Sequence, residues 1–262
     1  KLAEKKVNAI AFEFIVDEYK QLALVRLIGE IAGTISILYA AELLALSNGL
    51  MLGGITGVRP TEVVVIGAGI VGEFATKSAI GLGASVKVFD NSLSKLRRLH
   101  TLVDGRVPTS IIDPKELAKS LRRADVVIAA MPRLNMTPIV TEDMVLKMKK
   151  GSVIIDVTID NGKAIETSEL TTMEDPYIVK HDVIHAGLPN LTSKMPRTTT
   201  KAISNFFLSY LLNYDEEGGF ENMLVKKNEM KDSLYMYKGR HTKKTICDRF
   251  DLTYHDINLL IF

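Results

Sequence analysis

The chain has 262 residues, of which 47% are hydrophobic and 24% are charged. At about 150 residues per domain this length predicts one large domain or two small ones, and the composition excludes disorder along the whole chain. Thirty-three basic against thirty-one acidic residues leave a net charge of +2, which argues against nucleic acid or a membrane as the main partner. The single cysteine, Cys247, cannot form an internal disulfide and has no partners at zinc-ligand spacing. We therefore expect a reducing, cytoplasmic location and no metal site.

An apolar segment at residues 31–57 is the stretch most similar to a membrane span. Glu42 lies in its middle, and Ser47-Asn48-Gly49 interrupts it, so it lacks the ~18 consecutive apolar residues that a spanning helix requires. We therefore predict a helix over residues 30–47 that is buried against other parts of the protein, and no membrane segment.

Farther along the chain, short apolar runs alternate with helix-compatible stretches. An apolar stripe predicts a helix over residues 71–82, and a threonine followed by acids predicts another over residues 141–149. Lys149 and Lys150, near the end of the second helix, are interpreted as partners of its dipole. Each strand-like run is continuously apolar, which favours an α/β fold with a doubly wound parallel sheet covered on both faces. These runs are residues 63–66, 86–89, 126–130, 153–157 and 183–186.

The sharpest motif is the G-x-G-x-x-G sequence that joins the first strand to helix 71–82. Gly67 allows the tight turn, Gly69 permits close approach of a pyrophosphate, and Gly72 allows close packing of the helix on the sheet. The helix N-terminus at Ile70-Val71 offers free N–H groups to phosphates. Asp90, at the end of the next strand, would accept the adenosine ribose hydroxyls and repel a 2′-phosphate, so the motif predicts NAD as the cofactor. A glycine-rich turn without a ligand is the alternative.

The two ends of the chain differ from this pattern. Residues 7–12 are strand-like, residues 198–213 form an amphipathic pattern, and the residues after 217 suggest shorter helices. No sheet is predicted for these segments, so we assign both ends to one second domain. The predicted organisation is a Rossmann-type NAD-binding domain at residues 28–197, which includes helix 30–47, and a second, incomplete α/β substrate domain made of residues 1–27 and 198–262.

Asp160 is the only acid among the predicted strand ends over which a nicotinamide would lie. It can orient the nicotinamide ribose or exchange a proton with a substrate. It also begins the turn sequence Asp160-Asn161-Gly162, in which an aspartate commonly caps its own backbone, so position alone leaves both interpretations open. His185 lies on an apolar strand and is predicted to be a core residue, and the other four histidines lack an acidic or nucleophilic partner at motif spacing.

Several longer motifs together resemble the alanine dehydrogenases, which are related to the NAD-binding domain of proton-translocating transhydrogenase. They are GGITGVRP leading into VVVIGAGIVG, then AIGLGASVKVFD, VTEDMVLKMKKGSVIIDVTID, ETSELTT and PRTTTKAISN. The resemblance implies reversible, NAD-dependent oxidative deamination of L-alanine to pyruvate and ammonia by a homohexamer. It also implies that Asp160 is catalytic and exchanges a proton with the substrate. The cofactor contacts that it implies are Ile70 and Val71 at the phosphates, Asp90 and Lys95 at the adenosine ribose, and Met131, Val157, Thr158, Ile159, Leu188, Asn190 and Leu191 on the nicotinamide side.

The sequence departs from the family pattern in places that concern the substrate and the cofactor. An arginine and a lysine that bind the alanine carboxylate, and a catalytic histidine, have no counterpart, so we expect a chain that lacks the start of its substrate domain and binds NAD without turning over alanine. Gly29 and Ile112 replace serines near the cofactor, and Lys163 replaces a glycine beside Asp160. The alternatives are a dehydrogenase of another amino acid or an opine, and a non-catalytic NAD-binding module.

Overall fold

The protein is described by a computed structural model that covers residues 1–17, 19–132, 136–212 and 218–261. The chain forms two compact units. The larger unit is Gly29–Pro196, and the smaller unit combines Lys1–Ile28 with Arg197–Phe262.

Strands and helices are numbered here in chain order over the described residues. The strands are β1 (Ala9–Ile10), β2 (Glu62–Ile66), β3 (Ser85–Phe89), β4 (Thr109–Ser110), β5 (Val126–Ala129), β6 (Val153–Asp156), β7 (Ile178–Lys180), β8 (Val183–Ala186), β9 (Leu234–Tyr237) and β10 (Arg240–His241). The α-helices are α1 (Ala23–Asn48), α2 (Ile70–Gly81), α3 (Leu93–Leu102), α4 (Pro114–Leu121), α5 (Glu142–Val145), α6 (Pro196–Leu212), α7 (Phe220–Lys226), α8 (Asn228–Ser233) and α9 (Lys244–Phe250).

The larger unit contains a seven-stranded sheet in the order β4-β3-β2-β5-β6-β8-β7. All neighbouring strands are parallel except β7, which pairs antiparallel with β8 at the edge. The chain moves from β2 to β3 in one direction and returns to add β5 on the other side of β2. The doubly wound α/β fold predicted from the sequence is therefore confirmed, and the order reverses between β2 and β5.

Both faces of this sheet are buried, as the continuous apolar runs predict. Along β2, Val63 and Val65 belong to one apolar cluster, whereas Val64 and Ile66 belong to another. Since successive side chains of a strand point to opposite faces, a strand covered on both sides must be apolar at every position. The first cluster includes side chains of α1 and α2, and the second includes side chains of α4 and α5.

Helix α1 is longer than predicted at its N-terminal end and packs tightly on α2. A Cβ atom added to Gly33 would lie 2.3 Å from the carbonyl oxygen of Val71, so the two backbones meet at this glycine. By length and composition α1 would pass for a membrane span, but 56% of its most apolar window is buried in the protein. Ile37, Ala40 and Leu44 are completely covered, which is the burial of a core helix.

The smaller unit contains a sheet that the sequence analysis missed. Strand β9 pairs antiparallel with both β1 and β10, so the prediction that the chain ends have no sheet is wrong. Lys238 and Gly239 join β9 to β10 and both have positive φ angles, of 47° and 82°. This is the conformation that two-residue hairpin turns require. The sequence signal for the hairpin is a Lys-Gly pair between two short strand-like runs, in LYMY-KG-RH. Residues 213–217, which end the predicted helix 198–213 and begin the break after it, lie outside the described residues.

Three local predictions need correction. Helix α5 covers four residues rather than nine, and the Thr141 side chain at its N-terminus makes no capping hydrogen bond. The lysines assigned to its dipole form ion pairs instead, Lys149 with Asp125 at 2.7 Å and Lys150 with Asp182 at 2.8 Å. The strand predicted at residues 7–12 is only two residues long. The two ion pairs join these lysines to residues distant in sequence, which the local pattern does not report.

Candidate functional site

The glycine turn lies at the carboxyl edge of the sheet, where the strand order reverses. Gly67 has a φ angle of +111°, which favours glycine, and a Cβ atom there would lie 2.5 Å from the carbonyl oxygen of Ala130. The N–H of Ala130 donates to the carbonyl of Ile66 at 2.8 Å. These contacts bring the ends of β2 and β5 together at the position where open α/β sheets bind their ligands.

The other two glycines of the motif differ in what surrounds them. A Cβ atom on Gly72 would lie 1.8 Å from the carbonyl oxygen of Gly67, so only glycine allows α2 to begin so close to the turn. A Cβ atom on Gly69, in contrast, would have no atom of the described residues within 4 Å apart from its own residue and its two chain neighbours. Gly69 is the N-cap of the 12-residue helix α2, so this open space borders the positive end of a helix, where N–H groups lack intrahelical acceptors.

Asp90 supports the glycine turn directly. Its side chain is 2% exposed, and its two carboxylate oxygens accept the N–H groups of Ala68 and Ser92, each at 2.7 Å. Each oxygen has a further lone pair that can accept a hydroxyl. Lys95 lies in the first turn of α3 and is exposed, and its backbone N–H donates to the Ser92 hydroxyl that caps this helix.

A network of charged side chains that the sequence analysis missed contacts the same turn. Its members are Arg98, Glu73 and Lys77. Arg98 Nη2 donates to the carbonyl oxygen of Ala68 at 3.3 Å, and Arg98 Nη1 contacts Glu73 Oε2 at 2.8 Å. The other carboxylate oxygen of Glu73 accepts from Lys77 Nζ at 2.7 Å. The Glu73–Lys77 pair has the helical spacing of four residues and is visible in the sequence. The contacts of Arg98 join a different helix to the turn, so they cannot be seen in the sequence.

The predicted nicotinamide side begins where β5 and β6 end. Thr158 Oγ1 lies 3.3 Å from the carbonyl oxygen of Met131, and this contact joins the two strand ends. Asp160 is exposed in a short 3-10 helix, where its Oδ1 accepts from the side-chain amide of Asn161 at 3.1 Å. Val157 is partly buried, Ile159 is buried, and the following Gly162 has a φ angle of +99°. Residues 133–135 of the adjacent loop lie outside the described residues.

Asp156, directly at the end of β6, is a buried carboxyl that the sequence analysis did not single out. Its Oδ1 accepts the backbone N–H of Thr158 at 3.2 Å, and the Thr158 hydroxyl lies 3.3 Å from the same oxygen. Its Oδ2 is buried without a hydrogen bond of normal geometry to the described residues. Burial raises the pKa of Asp156 to about 6, while the hydrogen bonds from Thr158 and Ile165 act in the opposite direction. The sequence signal that could have identified Asp156 is an aspartate at the end of the apolar run VIID.

The residues after β8 form the last part of the carboxyl edge of the sheet, and two of the three predicted contacts among them have buried side chains. Leu188 and Leu191 are both 4% exposed and belong to the apolar cluster on the α1 face. Asn190 is exposed and has a left-handed backbone, with a φ angle of 52°. The two leucine side chains therefore stabilise the core beneath the site, and Asn190 is the side chain of this group that faces solvent.

His185 is a core residue, as predicted. It is fully buried on β8, where Nδ1 donates to the carbonyl of Val183 at 3.0 Å and Nε2 accepts from the Thr167 hydroxyl at 2.8 Å. Burial lowers the pKa of His185 to about 4. Both ring nitrogens are satisfied in the neutral form. His181, however, does have an acidic partner, because Nε2 lies 2.6 Å from Glu142 on the surface.

Comparison with known proteins identifies the family. The family model for the C-terminal domain of alanine dehydrogenase/PNT matches residues 36–244. Alanine dehydrogenase 2 of Staphylococcus aureus (strain USA300) is 36% identical over 98% of this chain and 70% of its own length. This chain belongs to the alanine dehydrogenase family. The resemblance seen in the sequence motifs is thereby confirmed, and the chain is related to NAD-dependent amino-acid dehydrogenases.

Solved structures agree with this assignment. An L-alanine dehydrogenase structure matches with a TM-score of 0.87 and 31% identity over 95% of this chain and 70% of that one. A transhydrogenase from Sinorhizobium meliloti matches with a TM-score of 0.73 at 19% identity, over 93% of this chain and 68% of that one, and shows the shared fold. The hexamer and the cytoplasmic location stay predictions.

The site of this alanine dehydrogenase homologue fits a nicotinamide dinucleotide of the NAD type, which the family and the fold imply. Gly69 leaves open space at the helix end, which the close approach of a pyrophosphate would require. The Asp90 carboxylate holds the turn and keeps lone pairs that can accept further hydrogen bonds. At Gly29, where the resemblance implies a serine, a Cβ atom would lie 3.2 Å from Cγ2 of Ile70, in the first turn of α2. Ile112 packs against the apolar cluster on the opposite face.

Proposed function

We propose that this chain carries the cofactor half of an enzyme that oxidises L-alanine to pyruvate and ammonia with NAD, reversibly. One observation carries the proposal. In a chain 36% identical to an alanine dehydrogenase, Gly69 caps the N-terminus of α2, and beyond its two chain neighbours a Cβ atom there would meet no described atom within 4 Å. A helix N-terminus with free N–H groups and no side chain in front of it is suited to a pyrophosphate.

The proposed contacts follow the carboxyl edge of the sheet. The N–H groups of Gly69, Ile70 and Val71 would bind the pyrophosphate, and Asp90 with Lys95 would bind the adenosine ribose. The nicotinamide would lie across the ends of β5, β6 and β8, where the strand order places the second half of a dinucleotide. Its proposed neighbours are Met131, Val157, Thr158, Ile159, Leu188, Asn190 and Leu191.

Asp160 is proposed as the proton-exchanging group. Bound NAD would supply the hydride acceptor for Cα of alanine, and the substrate imine left by that oxidation would have to take up water and release ammonia. Addition of water and loss of the amine both require proton transfers next to that carbon. The Asp160 carboxylate is exposed in the short 3-10 helix that follows β6, and its contact with the Asn161 amide leaves its second oxygen available for such transfers.

The first test is a substitution at Gly69. In Gly69→Val the side chain would enter open space, so the fold should be retained, but it would occupy the volume proposed for the pyrophosphate. We expect NAD affinity to fall by about 100-fold or more, since loss of the pyrophosphate contacts removes about 3 kcal/mol or more of binding free energy. Isothermal titration with NAD measures the affinity, and thermal unfolding measures the fold.

Gly81→Ala is the matched control, because Gly81 lies at the other end of α2 and a Cβ atom there also meets no atom within 4 Å beyond its chain neighbours and the backbone of its own helix. It should bind NAD like the unsubstituted chain. Failure of the unsubstituted chain to bind NAD would refute the proposal. Equal NAD affinity in Gly69→Val would show that the pyrophosphate does not lie at this helix end.

A further inference from the structure

The peptide groups on both sides of Ala68 are held by charged side chains. The Ala68 N–H donates to Asp90 Oδ2 at 2.7 Å, and the Ala68 carbonyl accepts from Arg98 Nη2 at 3.3 Å. Asp90 follows β3 and Arg98 lies in α3, so two elements outside the glycine turn determine its conformation. The Asp90 contact belongs to the dinucleotide motif, whereas the Arg98 contact is an addition.

Arg98 is fixed by a buried partner. The Glu73 side chain is 2% exposed, and its two oxygens bind Arg98 at 2.8 Å and Lys77 at 2.7 Å. A carboxylate buried to this degree is strongly destabilising unless it is paired. Glu73 therefore holds the Arg98 guanidinium in one place, although the arginine itself is 39% exposed.

The position of the Ala68 carbonyl decides where the next N–H points. The described residues contain no cis peptide bond, and in a trans peptide the C=O and N–H groups point in opposite directions. Because the Ala68 carbonyl faces Arg98, the Gly69 N–H must point away from Arg98. Gly69 caps α2 and borders the open space proposed for the pyrophosphate.

We propose that Glu73 and Arg98 form a clamp that orients the Ala68–Gly69 peptide so that its N–H faces the pyrophosphate of the dinucleotide. Both are positioning residues, which act through the backbone of the turn without contacting the cofactor. The clamp rests on the proposed function. If the clamp is broken, affinity should fall only for ligands that contain the pyrophosphate, because binding of the adenosine end depends on Asp90.

The test compares ADP-ribose with adenosine as ligands of the full chain. In Arg98→Met the affinity for ADP-ribose should fall about tenfold, the effect of losing one hydrogen bond to a charged group. The affinity for adenosine, followed by NMR titration, should change less than about twofold, within the range of a surface substitution. Arg97→Met is the matched control, since it removes the same charge from the exposed neighbouring position and should leave both affinities unchanged.

A second variant separates the clamp from a general loss of stability. Glu73→Gln should lower ADP-ribose affinity in the same way, and the double variant should be no worse than either single one, because both substitutions break one unit. Thermal unfolding shows the fraction folded at each titration temperature. Unchanged ADP-ribose affinity in folded Arg98→Met, or an equal loss for adenosine, would overturn the clamp. If the unsubstituted chain binds neither ligand, the proposed function fails and the clamp with it.

Discussion

Two buried titratable side chains in the larger unit, Asp156 and His185, make the free energy of unfolding depend on pH in opposite directions. Asp156 has a pKa raised by burial from 3.8 to about 6, so folding favours its protonated form. Its stabilising contribution is complete below pH 3.8 and is lost as the pH rises through about 6. His185 has a pKa lowered by burial from 6.5 to about 4, so its contribution is present above pH 6.5 and is lost as the pH falls through about 4.

At the residue scale we predict that Asp156→Asn stabilises the protein at neutral and alkaline pH. The amide keeps an acceptor for the Thr158 N–H and carries no charge, so the cost of the buried carboxylate disappears. A shift of about two pKa units corresponds to about 3 kcal/mol, and we expect a gain of about 1–3 kcal/mol in the free energy of unfolding at pH 8. The gain should shrink toward pH 4, where the carboxyl of the unsubstituted protein is protonated.

Urea unfolding of both proteins between pH 4 and pH 8 measures this difference. Asp175→Asn is the control, because Asp175 is exposed and its substitution should have little effect at any pH. A difference between Asp156→Asn and the unsubstituted protein that stays constant with pH would show that the Asp156 charge is not the cause.

At the element scale, the crossing of α1 and α2 determines where the phosphate-binding helix end lies. A Cβ atom on Gly33 would lie 2.3 Å from the carbonyl oxygen of Val71 and 3.0 Å from the backbone N of Ala75. Backbone atoms cannot move aside as a flexible side chain can. Val71 is also in the first turn of α2, so a change in this packing reaches the proposed pyrophosphate site.

We predict that Gly33→Ala lowers the free energy of unfolding by about 2–3 kcal/mol, because the added methyl group overpacks the contact between the two helices. The same substitution at Gly81 should raise it by about 0.5–1 kcal/mol, because alanine favours a helix and meets no neighbour there. Chemical denaturation of the two variants compares these values directly. Equal effects of the two substitutions would contradict the packing argument.

At the scale of the whole molecule, we propose that NAD binding needs only the larger unit, whereas turnover needs further residues. The chain spans about 70% of the length of its Staphylococcus aureus relative. Its proposed NAD contacts and Asp160 all lie in the larger unit, Gly29–Pro196. From the family resemblance we expect no counterpart in this chain for the arginine, lysine and histidine that act on the substrate.

We therefore predict that the 262-residue chain binds NAD but forms no NADH when L-alanine is added. NADH absorbance during incubation with NAD and L-alanine measures turnover, and titration calorimetry measures binding. Alanine-dependent NADH formation by this chain would contradict the prediction.

A chain extended by the family's N-terminal substrate-binding segment is the positive control and should form NADH. In that extended chain Asp160→Asn should reduce kcat by about 100-fold or more, the usual contribution of a proton-transferring group. Unchanged kcat in Asp160→Asn would show that Asp160 has no catalytic role and serves only to begin the turn before Gly162.

The parts of this protein that the sequence determined by itself are those whose cause lies within a few residues or in a repeated pattern. Gly67 and Gly72 meet backbone requirements of the turn, Gly69 leaves open space at the helix end, and the apolar runs of the strands predict burial on both faces. The parallel sheet, the dinucleotide turn and the core position of His185 could therefore be predicted.

Only the tertiary structure decided the features that depend on partners distant in sequence. Arg98 reaches Ala68 and Glu73 from another helix, the β9 strand pairs with residues near the start of the chain, and Lys149 pairs with Asp125 in place of a helix dipole. The burial that raises the pKa of Asp156 is likewise a property of the packed sheet. Sequence periodicity reports which face of an element is buried, but ion pairs and pKa shifts depend on which atoms the fold brings within a few ångströms.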